Sequence, residues 1–256
     1  MSLYFISIGL NDEKDMSIKA IEAARECDLL FAEFYTHKLN TTKEKLEKVI
    51  GKEIKVLTRS EVESDMLIKE AMNKKVGLLV GGDAFCATTH LALKHEAEKK
   101  GIETRVIHGS SIFSAVAEVG LHIYKFGQAV TIPFLDRLKD EMPISVYEKV
   151  DVNKKMGLHT LLLLDIIEEE KRYMSVKEAC EILLKLEEKM KKGIFTRDTE
   201  IIVFARAGSD DAKIFYGRIE EAMKTDFGNP PFCIILPGSL HFTEKEYLEW
   251  LRNGKK

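Results

Sequence analysis

One segment contains a complete change from strand to helix: Gly77-Leu78-Leu79-Val80-Gly81-Gly82-Asp83-Ala84-Phe85-Cys86-Ala87-Thr88-Thr89-His90. The apolar run at 77–80 indicates a buried strand, and a glycine-rich loop follows it. A helical segment at 89–100 comes next, with Gly101 just past its end, where glycine commonly terminates a helix. Strand, loop and helix in this order form the repeating unit of an α/β fold.

The same order recurs along the whole chain. In the first half we predict strands at residues 4–8, 29–34, 53–57, 77–80 and 104–107. The predicted helices of that half lie at residues 16–26, 42–50, 62–73, 89–100 and 111–125. In the second half we predict strands at 129–133, 159–164, 201–205 and 233–236, and a long helix at 176–192. This pattern is typical of α/β proteins with mostly parallel or mixed sheets.

The length of 256 residues is sufficient for two small domains. The helix predicted at 111–125 leads from one half to the other, and Gly127 follows it. We therefore predict two α/β domains, an N-terminal one at 1–127 and a C-terminal one at 128–256.

The balance of charges disfavours one class of partner. With 39 Lys and Arg against 42 Asp and Glu, the formal net charge is -3. A protein that binds a phosphate backbone needs clustered positive charge. Because the lysines here alternate with glutamates, as in Lys43-Glu44-Lys45, we expect solvated helix faces and no nucleic-acid partner.

The cysteines indicate a reducing compartment. Cys27, Cys86, Cys180 and Cys233 lie far apart and form no C-x-x-C pair, so we expect neither a disulfide framework nor a zinc site. The first residues lack a basic segment of the kind that begins a signal peptide. The most apolar stretch, 161–167, is far shorter than the ~20 residues of a membrane helix. We expect a soluble cytoplasmic protein without a membrane or metal site.

Loops that follow strands are the places to look for a ligand site, because ligands of open α/β sheets bind at the carboxyl ends of the strands. Three such loops in the first half begin at Gly9, Gly81 and His108. In the second, paired glycines permit close approach of backbone to a ligand, and Asp83 can accept hydrogen bonds from it. Taken alone, each loop also fits an ordinary turn, with Thr88 as the N-cap of the next helix.

Three common enzyme classes lack support in this sequence. It contains no G-x-G-x-x-G dinucleotide fingerprint, no Walker A sequence and no G-x-S-x-G elbow.

In the second half, Arg206 follows a predicted strand and is either a ligand clamp or, more commonly for such a position, a solvated arginine.

Six segments in order carry a resemblance to a known family. They are Leu3-Tyr4-Phe5-Ile6-Ser7-Ile8-Gly9-Leu10, Phe31-Ala32-Glu33-Phe34-Tyr35-Thr36, Ala87-Thr88-Thr89-His90, Gly120-Leu121-His122-Ile123-Tyr124-Lys125-Phe126-Gly127, Gly157-Leu158-His159-Thr160-Leu161-Leu162 and Ala205-Arg206-Ala207-Gly208-Ser209. Read together, they resemble the diphthine synthase family of the tetrapyrrole-methylase-like group, whose members use S-adenosylmethionine. The resemblance covers essentially the whole chain.

This resemblance implies a homodimer of two-domain α/β chains with a cofactor cleft between the domains. The positions that it assigns to cofactor binding are Leu10, Asp83, Cys86, Ser111, Ile112, Leu164, Ala207 and Phe232. Several of these residues are small or apolar, so backbone hydrogen bonds and packing on the adenine and ribose are the expected contacts.

The sequence departs from the family's pattern at three places. Gly82-Asp83-Ala84 stands where Gly-Asp-Pro is usual, so the rigidity of a proline is missing from that turn. Gly109-Ser110-Ser111-Ile112 stands where Ala-Pro-Ser-Ile is usual. Phe232 takes the place of a frequent histidine, which leaves it a main-chain or stacking role.

The reaction implied by the resemblance is methylation of the amino group of a 3-amino-3-carboxypropyl-histidine in translation elongation factor 2. The products are diphthine, a precursor of diphthamide, and S-adenosylhomocysteine. Glu33 and Tyr35 follow a strand and are weaker candidates for the acceptor pocket. Each of four histidines in or beside the matched segments is more often a capped or buried core residue than a base: His90, His108, His122 and His159. The sequence therefore designates no catalytic base.

Two alternatives stay open at this stage. The first is a methyltransferase of the same fold that acts on a corrin or other tetrapyrrole ring and needs no protein partner. The second, less favoured, is a two-lobed module that binds a small ligand without catalysis. Tight cofactor binding without transfer to any acceptor would favour the module.

Overall fold

The computed structural model of the protein describes residues 1–139 and 141–254. The chain divides into two compact units, and the first consists of Met1–Ala115 with Glu168–Glu170. The described residues of Val116–Ile167 and Lys171–Lys256 form the second. The sequence placed a domain boundary near Gly127, whereas residues 116–127 group with the second unit.

The first unit contains a five-stranded sheet. Its strands are β1 (Ser2–Gly9), β2 (Leu29–Glu33), β3 (Lys55–Val56), β4 (Lys75–Gly81) and β5 (Glu103–Ile107). Their order in the sheet is β3-β2-β4-β1-β5, and every neighbouring pair is parallel. All eight residues of β1 are buried, as expected for a central strand covered on both faces. All five strand predictions in this half are confirmed.

Six helices accompany this sheet. They are α1 (Ile18–Glu26), α2 (Lys43–Ile50), α3 (Arg59–Val62), α4 (Met66–Ala71), α5 (His90–Lys99) and α6 (Ile112–Ala115). Helix α2 has a cap at each end, since the hydroxyl of Thr42 accepts a hydrogen bond from the N–H of Lys45 and Gly51 is left-handed.

The prediction of one helix over 62–73 is wrong, because α3 and α4 are separate. Ser64 explains the interruption. Its hydroxyl donates to the carbonyl of Glu61 at 2.6 Å and accepts from the N–H of Met66 at 3.2 Å. A serine that bonds to its own backbone in this way competes with the helical ladder.

The prediction of one helix over 111–125 is also wrong. The chain forms α6, a 3₁₀ turn at Val116–Val119 and a second at Ile123–Lys125. Between the turns, Gly120 has a φ of +90°, which an α-helix cannot accommodate. A Cβ atom at Gly120 would also overlap the ring of Tyr247. The helical pattern is therefore broken by a contact with a residue far along the chain.

The second unit has a mixed sheet. Its strands are β6 (Val130–Ile132), β7 (Thr160–Leu164), β10 (Glu200–Ala205), β11 (Lys213–Arg218) and β12 (Phe232–Leu236). A separate two-stranded ribbon consists of β8 (Ile166–Ile167) and β9 (Arg172–Tyr173). The main sheet has the order β11-β10-β12-β7-β6, with only the β6–β7 pair parallel. The four strands predicted here are confirmed, whereas β8, β9 and β11 were not predicted. Parallel and mixed sheets together confirm the predicted fold class.

Among its described residues, the second unit has four helices: α7 (Ile144–Lys155), α8 (Val176–Met190), α9 (Ile219–Ala222) and α10 (Phe242–Asn253). Only α8 was predicted. It begins after Ser175, whose hydroxyl accepts from the N–H of Glu178, and its apolar stripe, which includes Leu183 and Leu186, is buried. In the described part of the chain, no helix combines the length and the apolar character that a membrane span requires.

Candidate functional site

Three loops of the first unit meet at one edge of its sheet. Strands β4, β1 and β5 are neighbours and parallel, so their carboxyl ends lie side by side. The N–H of Gly82 donates to the carbonyl of Gly9 at 2.8 Å, and the N–H of Gly9 donates to the carbonyl of Gly82 at 3.1 Å. The N–H of Gly109 reaches Oδ2 of Asp83 at 3.1 Å. The loops that the sequence singled out are therefore connected to one another.

Asp83 is the centre of this connection. Its Oδ1 accepts from the N–H of Phe85 at 3.0 Å, and its Oδ2 accepts from Nδ1 of His108 at 2.9 Å as well as from Gly109. Burial alone would raise the pKa of this carboxyl, but the hydrogen bonds from Phe85, His108 and Gly109 outweigh burial and hold the pKa below its ordinary value. Asp83 is therefore an ionised, almost fully buried acceptor at neutral pH.

Close approach of backbones explains the glycine at position 109. A Cβ atom there would lie 2.7 Å from Cβ of Ser7 and 3.3 Å from the carbonyl oxygen of Gly82. Any side chain would push the third loop away from β1 and from the second loop. The alanine usual in the family at this position is therefore excluded here by the packing of the two loops.

The other positions predicted in this unit line the same edge. Ser111 is buried, whereas Leu10, Cys86 and Ile112 are half-buried. The N–H of Cys86 donates to the carbonyl of Asp83 at 3.0 Å, which closes a tight turn. The structure brings all five positions to loops at one sheet edge, and their binding of a cofactor stays a prediction.

The positions predicted in the second unit share an edge of its sheet. Ala205, the last residue of β10, is paired with Phe232, the first residue of β12. The antiparallel pairing of β12 with β7 brings Leu164, the last residue of β7, to the same end. Ala207 follows β10 two residues later and is half-buried. Leu164, Ala207 and Phe232 are thus gathered at one place, where their role stays a prediction.

Arg206 is not a solvated arginine. Its side chain is 14% exposed, and Nη1 donates to the carbonyls of Phe227 at 2.5 Å and Asn229 at 2.7 Å. Its Nε donates to Oδ2 of Asp211 at 2.7 Å. The guanidinium therefore holds the segment that precedes β12 against the end of β10.

Glu33 and Tyr35 lie at the carboxyl end of β2, in the interior of the first unit. Glu33 is fully buried, and both of its oxygens accept hydrogen bonds from Thr36. Burial outweighs these bonds and raises its pKa to about 7. Burial also raises the pKa of Tyr35, whose hydroxyl has no hydrogen-bond partner among the described residues. Neither side chain is accessible to a large acceptor in this conformation.

Thr88 does not cap α5, contrary to the sequence prediction. The residue before α5 is Thr89, and its side chain makes no capping bond. The hydroxyl of Thr88 instead donates to the carbonyl of Ala84 at 2.7 Å. This local hydrogen bond lies within the second loop and competes with capping. The sequence does not distinguish a threonine that bonds in this way from one that caps a helix.

Two of the four histidines singled out by the sequence are core residues, whereas the side chain of His108 is 76% exposed and that of His122 is 32% exposed. His90 is 2% exposed and His159 is fully buried. Nδ1 of His159 accepts from the N–H of Gly238 at 2.8 Å, so its Nε2 carries the proton and donates to Glu244 at 3.1 Å. Burial lowers the pKa of both imidazoles, which are neutral at pH 7. Sequence reasoning missed Glu244 altogether.

The donor set at the edge of the first unit suits a small ligand with hydroxyl or ammonium groups. An ionised carboxylate held by three N–H groups accepts hydrogen bonds from such groups without rearranging. Leu10 and Ile112, both half-buried, offer apolar surface in the two neighbouring loops. A nucleoside that carries an amino-acid arm presents both kinds of surface, so these residues fit the cofactor implied by the sequence.

Comparison with known proteins agrees with this arrangement. Residues 2–223 match the family described as Tetrapyrrole (Corrin/Porphyrin) Methylases. Diphthine synthase of Methanocaldococcus jannaschii is 45% identical over 254 residues, which are 97% of this chain and 98% of that protein. Diphthine synthase of Methanocella arvoryzae is 47% identical over 258 residues, which are 99% of each chain. A crystal structure of diphthine synthase is 37% identical, covers 99% of this chain and 96% of its own, and has a TM-score of 0.89.

The parallel sheet with its three connected loops and the mixed sheet of the second unit define the class of protein as a tetrapyrrole-methylase-fold methyltransferase. Within this class the similarity extends along almost the entire chain. The chain belongs to the diphthine synthase family.

Proposed function

We propose that this chain methylates the amino group of a 3-amino-3-carboxypropyl-histidine in translation elongation factor 2, with S-adenosylmethionine as methyl donor. The products are diphthine and S-adenosylhomocysteine. The observation that carries the proposal is the similarity, over nearly the full length, to proteins called diphthine synthase. The connected loops around Asp83 support it, because they provide a ready acceptor for a polar ligand.

Bound S-adenosylmethionine supplies an electrophilic methyl group on a sulfonium centre. We assign Asp83 to its hydroxyl or ammonium groups, because this carboxylate is ionised and already held in place. The residues assigned to packing and backbone hydrogen bonds are Leu10, Cys86, Ser111 and Ile112 in the first unit and Leu164, Ala207 and Phe232 in the second. Phe232 offers an aromatic face in place of the family's frequent histidine.

The acceptor is an amine, which attacks only after it has lost a proton. A free α-amino group has a pKa of about 8, and each unit above the working pH costs about 1.4 kcal/mol. A nearby positive charge and poor hydration both lower that pKa. Orientation of the amine toward the methyl group then supplies most of the rate enhancement, and we assign no general base.

We also propose that the protein acts in the cytoplasm, as a homodimer, with elongation factor 2 as its protein partner. The cysteines support a reducing compartment, because Cys27, Cys86, Cys180 and Cys233 are all free thiols. Cys27, Cys180 and Cys233 are buried, where they serve as small apolar side chains.

The decisive experiment is mass spectrometry of elongation factor 2 that carries the aminocarboxypropyl-histidine. The factor is incubated with this protein and S-adenosylmethionine, and the peptide that contains the modified histidine is analysed. We expect added methyl masses on that peptide and none on the same peptide from a factor that lacks the aminocarboxypropyl arm. The number of added masses counts the rounds of transfer.

Calorimetry with S-adenosylhomocysteine separates the ways in which the proposal can fail. Binding without any methyl gain would retain the methyltransferase and discard this substrate, and corrin precursors would then be tested as acceptors. Absence of both binding and transfer would overturn the proposed cofactor as well.

A further inference from the structure

The carbonyl oxygen of Ala84 in the second loop receives hydrogen bonds from two side chains. Nδ1 of His90, the first residue of α5, lies 3.0 Å from it. The hydroxyl of Thr88 lies 2.7 Å from the same oxygen. Because a carbonyl oxygen only accepts, Nδ1 of His90 carries the proton, and the tautomer of the ring is determined.

The N–H of Ala84 is held equally firmly. It donates to the hydroxyl of Ser7 on β1 at 3.0 Å, in a fully buried environment. The proline usual in the family at this position has no N–H and could not make this bond. Hydrogen bonds on both sides of Ala84 thus fix the backbone directly after Asp83, where the sequence lacks the rigid ring.

The loop contains a residue that needs such support. Ala87 has a φ of +58°, in the left-handed region that L-residues other than glycine, asparagine and aspartate seldom adopt. This conformation costs about 1–2 kcal/mol. Such a conformation persists only where surrounding contacts determine it. Along the chain, Ala87 lies between Ala84 and the two residues that bind the Ala84 carbonyl, Thr88 and His90.

The far side of the His90 ring faces Glu33. Nε2 lies 4.0 Å from Oε1 of Glu33, and both side chains are almost fully buried. Since Nδ1 carries the proton, Nε2 presents a lone pair, and it has no hydrogen-bond partner within the described residues. A lone pair is stabilised by a protonated carboxyl and destabilised by a carboxylate. The raised pKa of Glu33, about 7, keeps this carboxyl mostly protonated below pH 7.

The other neighbours of His90 carry no charge that changes the protonation of its ring. The ring of Phe5 on β1 lies 6.3 Å from the imidazole, centroid to centroid. Thr36 donates to both oxygens of Glu33, and Arg59 contributes a weaker attraction to the ionised form of that carboxyl. Below pH 7, Glu33 therefore presents a protonated carboxyl to the Nε2 lone pair of His90, across a distance of 4.0 Å.

We propose that His90 is a positioning residue that, supported by Glu33, holds the Ala84 carbonyl and so sets Asp83 for the cofactor. His90 does not touch the reacting atoms and acts through the backbone of the second loop. The inference rests on the proposed function, because it takes Asp83 to be a cofactor contact.

The test compares three variants with the wild-type protein by calorimetric titration with S-adenosylhomocysteine. His90→Ala removes the donor to Ala84, and loss of a buried hydrogen bond predicts a dissociation constant about tenfold higher. His90→Asn places an amide N–H₂ where Nδ1 was, and we expect it to restore affinity to within about threefold. His95→Ala, on the exposed face of the same helix, is the matched control and should leave affinity unchanged.

Kinetics with the modified elongation factor provide a readout that general destabilisation would not produce. His90→Ala should raise KM for S-adenosylmethionine and leave kcat within about twofold, because ground-state and transition-state binding are lost together. In the wild-type protein the affinity should weaken from about pH 6 to about pH 8 as Glu33 ionises, whereas Glu33→Gln should flatten this profile.

Thr88→Val, which removes the second donor without changing shape, gives an answer even where a His90 variant fails to fold. It should weaken binding in the same direction. Unchanged affinity in folded His90→Ala or in Thr88→Val would overturn the inference. A wild-type protein that does not bind the nucleoside would overturn the proposed function, and the inference with it, before any variant is compared.

Discussion

His159 and Glu244, 85 positions apart, form a buried hydrogen bond in the second unit. Nε2 of His159 donates to Oε1 of Glu244 at 3.1 Å, while Nδ1 accepts from the N–H of Gly238 at 2.8 Å. Both side chains are almost completely buried. Because each ring nitrogen has its own partner, His159 is held as the neutral Nε2–H tautomer, which a second proton would disrupt.

Glu244 receives more than this one bond. The backbone N–H groups of His122 and His241 donate to it at 2.8 Å and 2.7 Å, and the ammonium of Lys125 forms an ion pair with it. Burial by itself raises the pKa of this carboxyl, but Lys125, His122, His241 and His159 together lower it to about 2. One carboxylate on α10 thus connects the segment that follows Gly120 with the start of β7.

We predict that Glu244→Gln reduces the free energy of unfolding by about 3 kcal/mol near neutral pH. The pKa of Glu244 is lower in the folded protein than its ordinary value of 4.5, so its stabilisation is fully present above pH 4.5. It is lost as the pH falls from 4.5 toward 2. Urea unfolding at a series of pH values, followed by circular dichroism, measures the difference.

The control is Glu249→Gln, an exposed glutamate on the same helix, which should change stability by less than about 0.5 kcal/mol. A difference between Glu244→Gln and wild type that stays constant down to the lowest pH would contradict the assigned pKa.

Most of the first unit could be predicted because its signals are local. Apolar runs at β1 and β4 and glycines after them identify strands and loops without knowledge of distant contacts. The helix predicted at 111–125 failed because Gly120 is forced into a left-handed conformation against Tyr247. Glu244 could not be found, since His122 and Lys125 are 122 and 119 positions away from it.

In the candidate site too, the features with a local sequence signal could be predicted and those that depend on distant contacts could not. Asp83 could be singled out because it follows two glycines at the end of a strand. Nothing in the sequence indicated that His90 binds the carbonyl of Ala84 or that Glu33 lies beside it, because β2 meets the second loop only in the folded sheet. Strand β11 was missed because it is a half-buried edge strand with an irregular apolar pattern.

Tyr35→Phe should stabilise the protein. The hydroxyl of Tyr35 is buried, and among the described residues it finds no hydrogen-bond partner, so its removal relieves a desolvation cost of about 1 kcal/mol. The contact of the Arg59 guanidinium with the ring, at 4.7 Å, survives the change. Thermal unfolding measures the gain.

Tyr147→Phe provides the matched control for this effect. The hydroxyl of Tyr147, whose side chain is fully buried, donates to Oε2 of Glu187 at 2.6 Å, so its removal should destabilise the protein by about 1–2 kcal/mol. If both variants lost stability, Tyr35 would have a partner. A loss of turnover in folded Tyr35→Phe would place this hydroxyl in the acceptor pocket.

Glu33→Gln should remove a decline in stability at rising pH. The pKa of Glu33 is raised from 4.5 to about 7 in the folded protein, so the folded state binds its proton more tightly than the unfolded state. Stability from this group is fully present below pH 4.5 and falls by about 3 kcal/mol as the pH rises through 7. Urea unfolding from about pH 5 to about pH 8 measures the slope. An equal slope in the variant would contradict the raised pKa.

Asp83→Asn tests the centre of the candidate site. An amide at this position keeps one acceptor for the N–H of Phe85 but turns an N–H₂ group toward the N–H of Gly109, where two donors repel each other. The negative charge is lost at the same time. We expect the dissociation constant for S-adenosylhomocysteine to rise at least about tenfold, since hydrogen bonds to charged groups contribute about 1.5–3 kcal/mol.

The matched control for this variant is Asp28→Asn. Oδ2 of Asp28 also accepts a backbone N–H, that of Lys75, at 2.7 Å, but this contact lies at the amino end of β4, away from the connected loops. The control should therefore share any general loss of stability and retain affinity. Equal affinities in the two variants would show that the carboxylate of Asp83 only shapes the second loop, and the cofactor contact would have to be sought among the backbone groups around it.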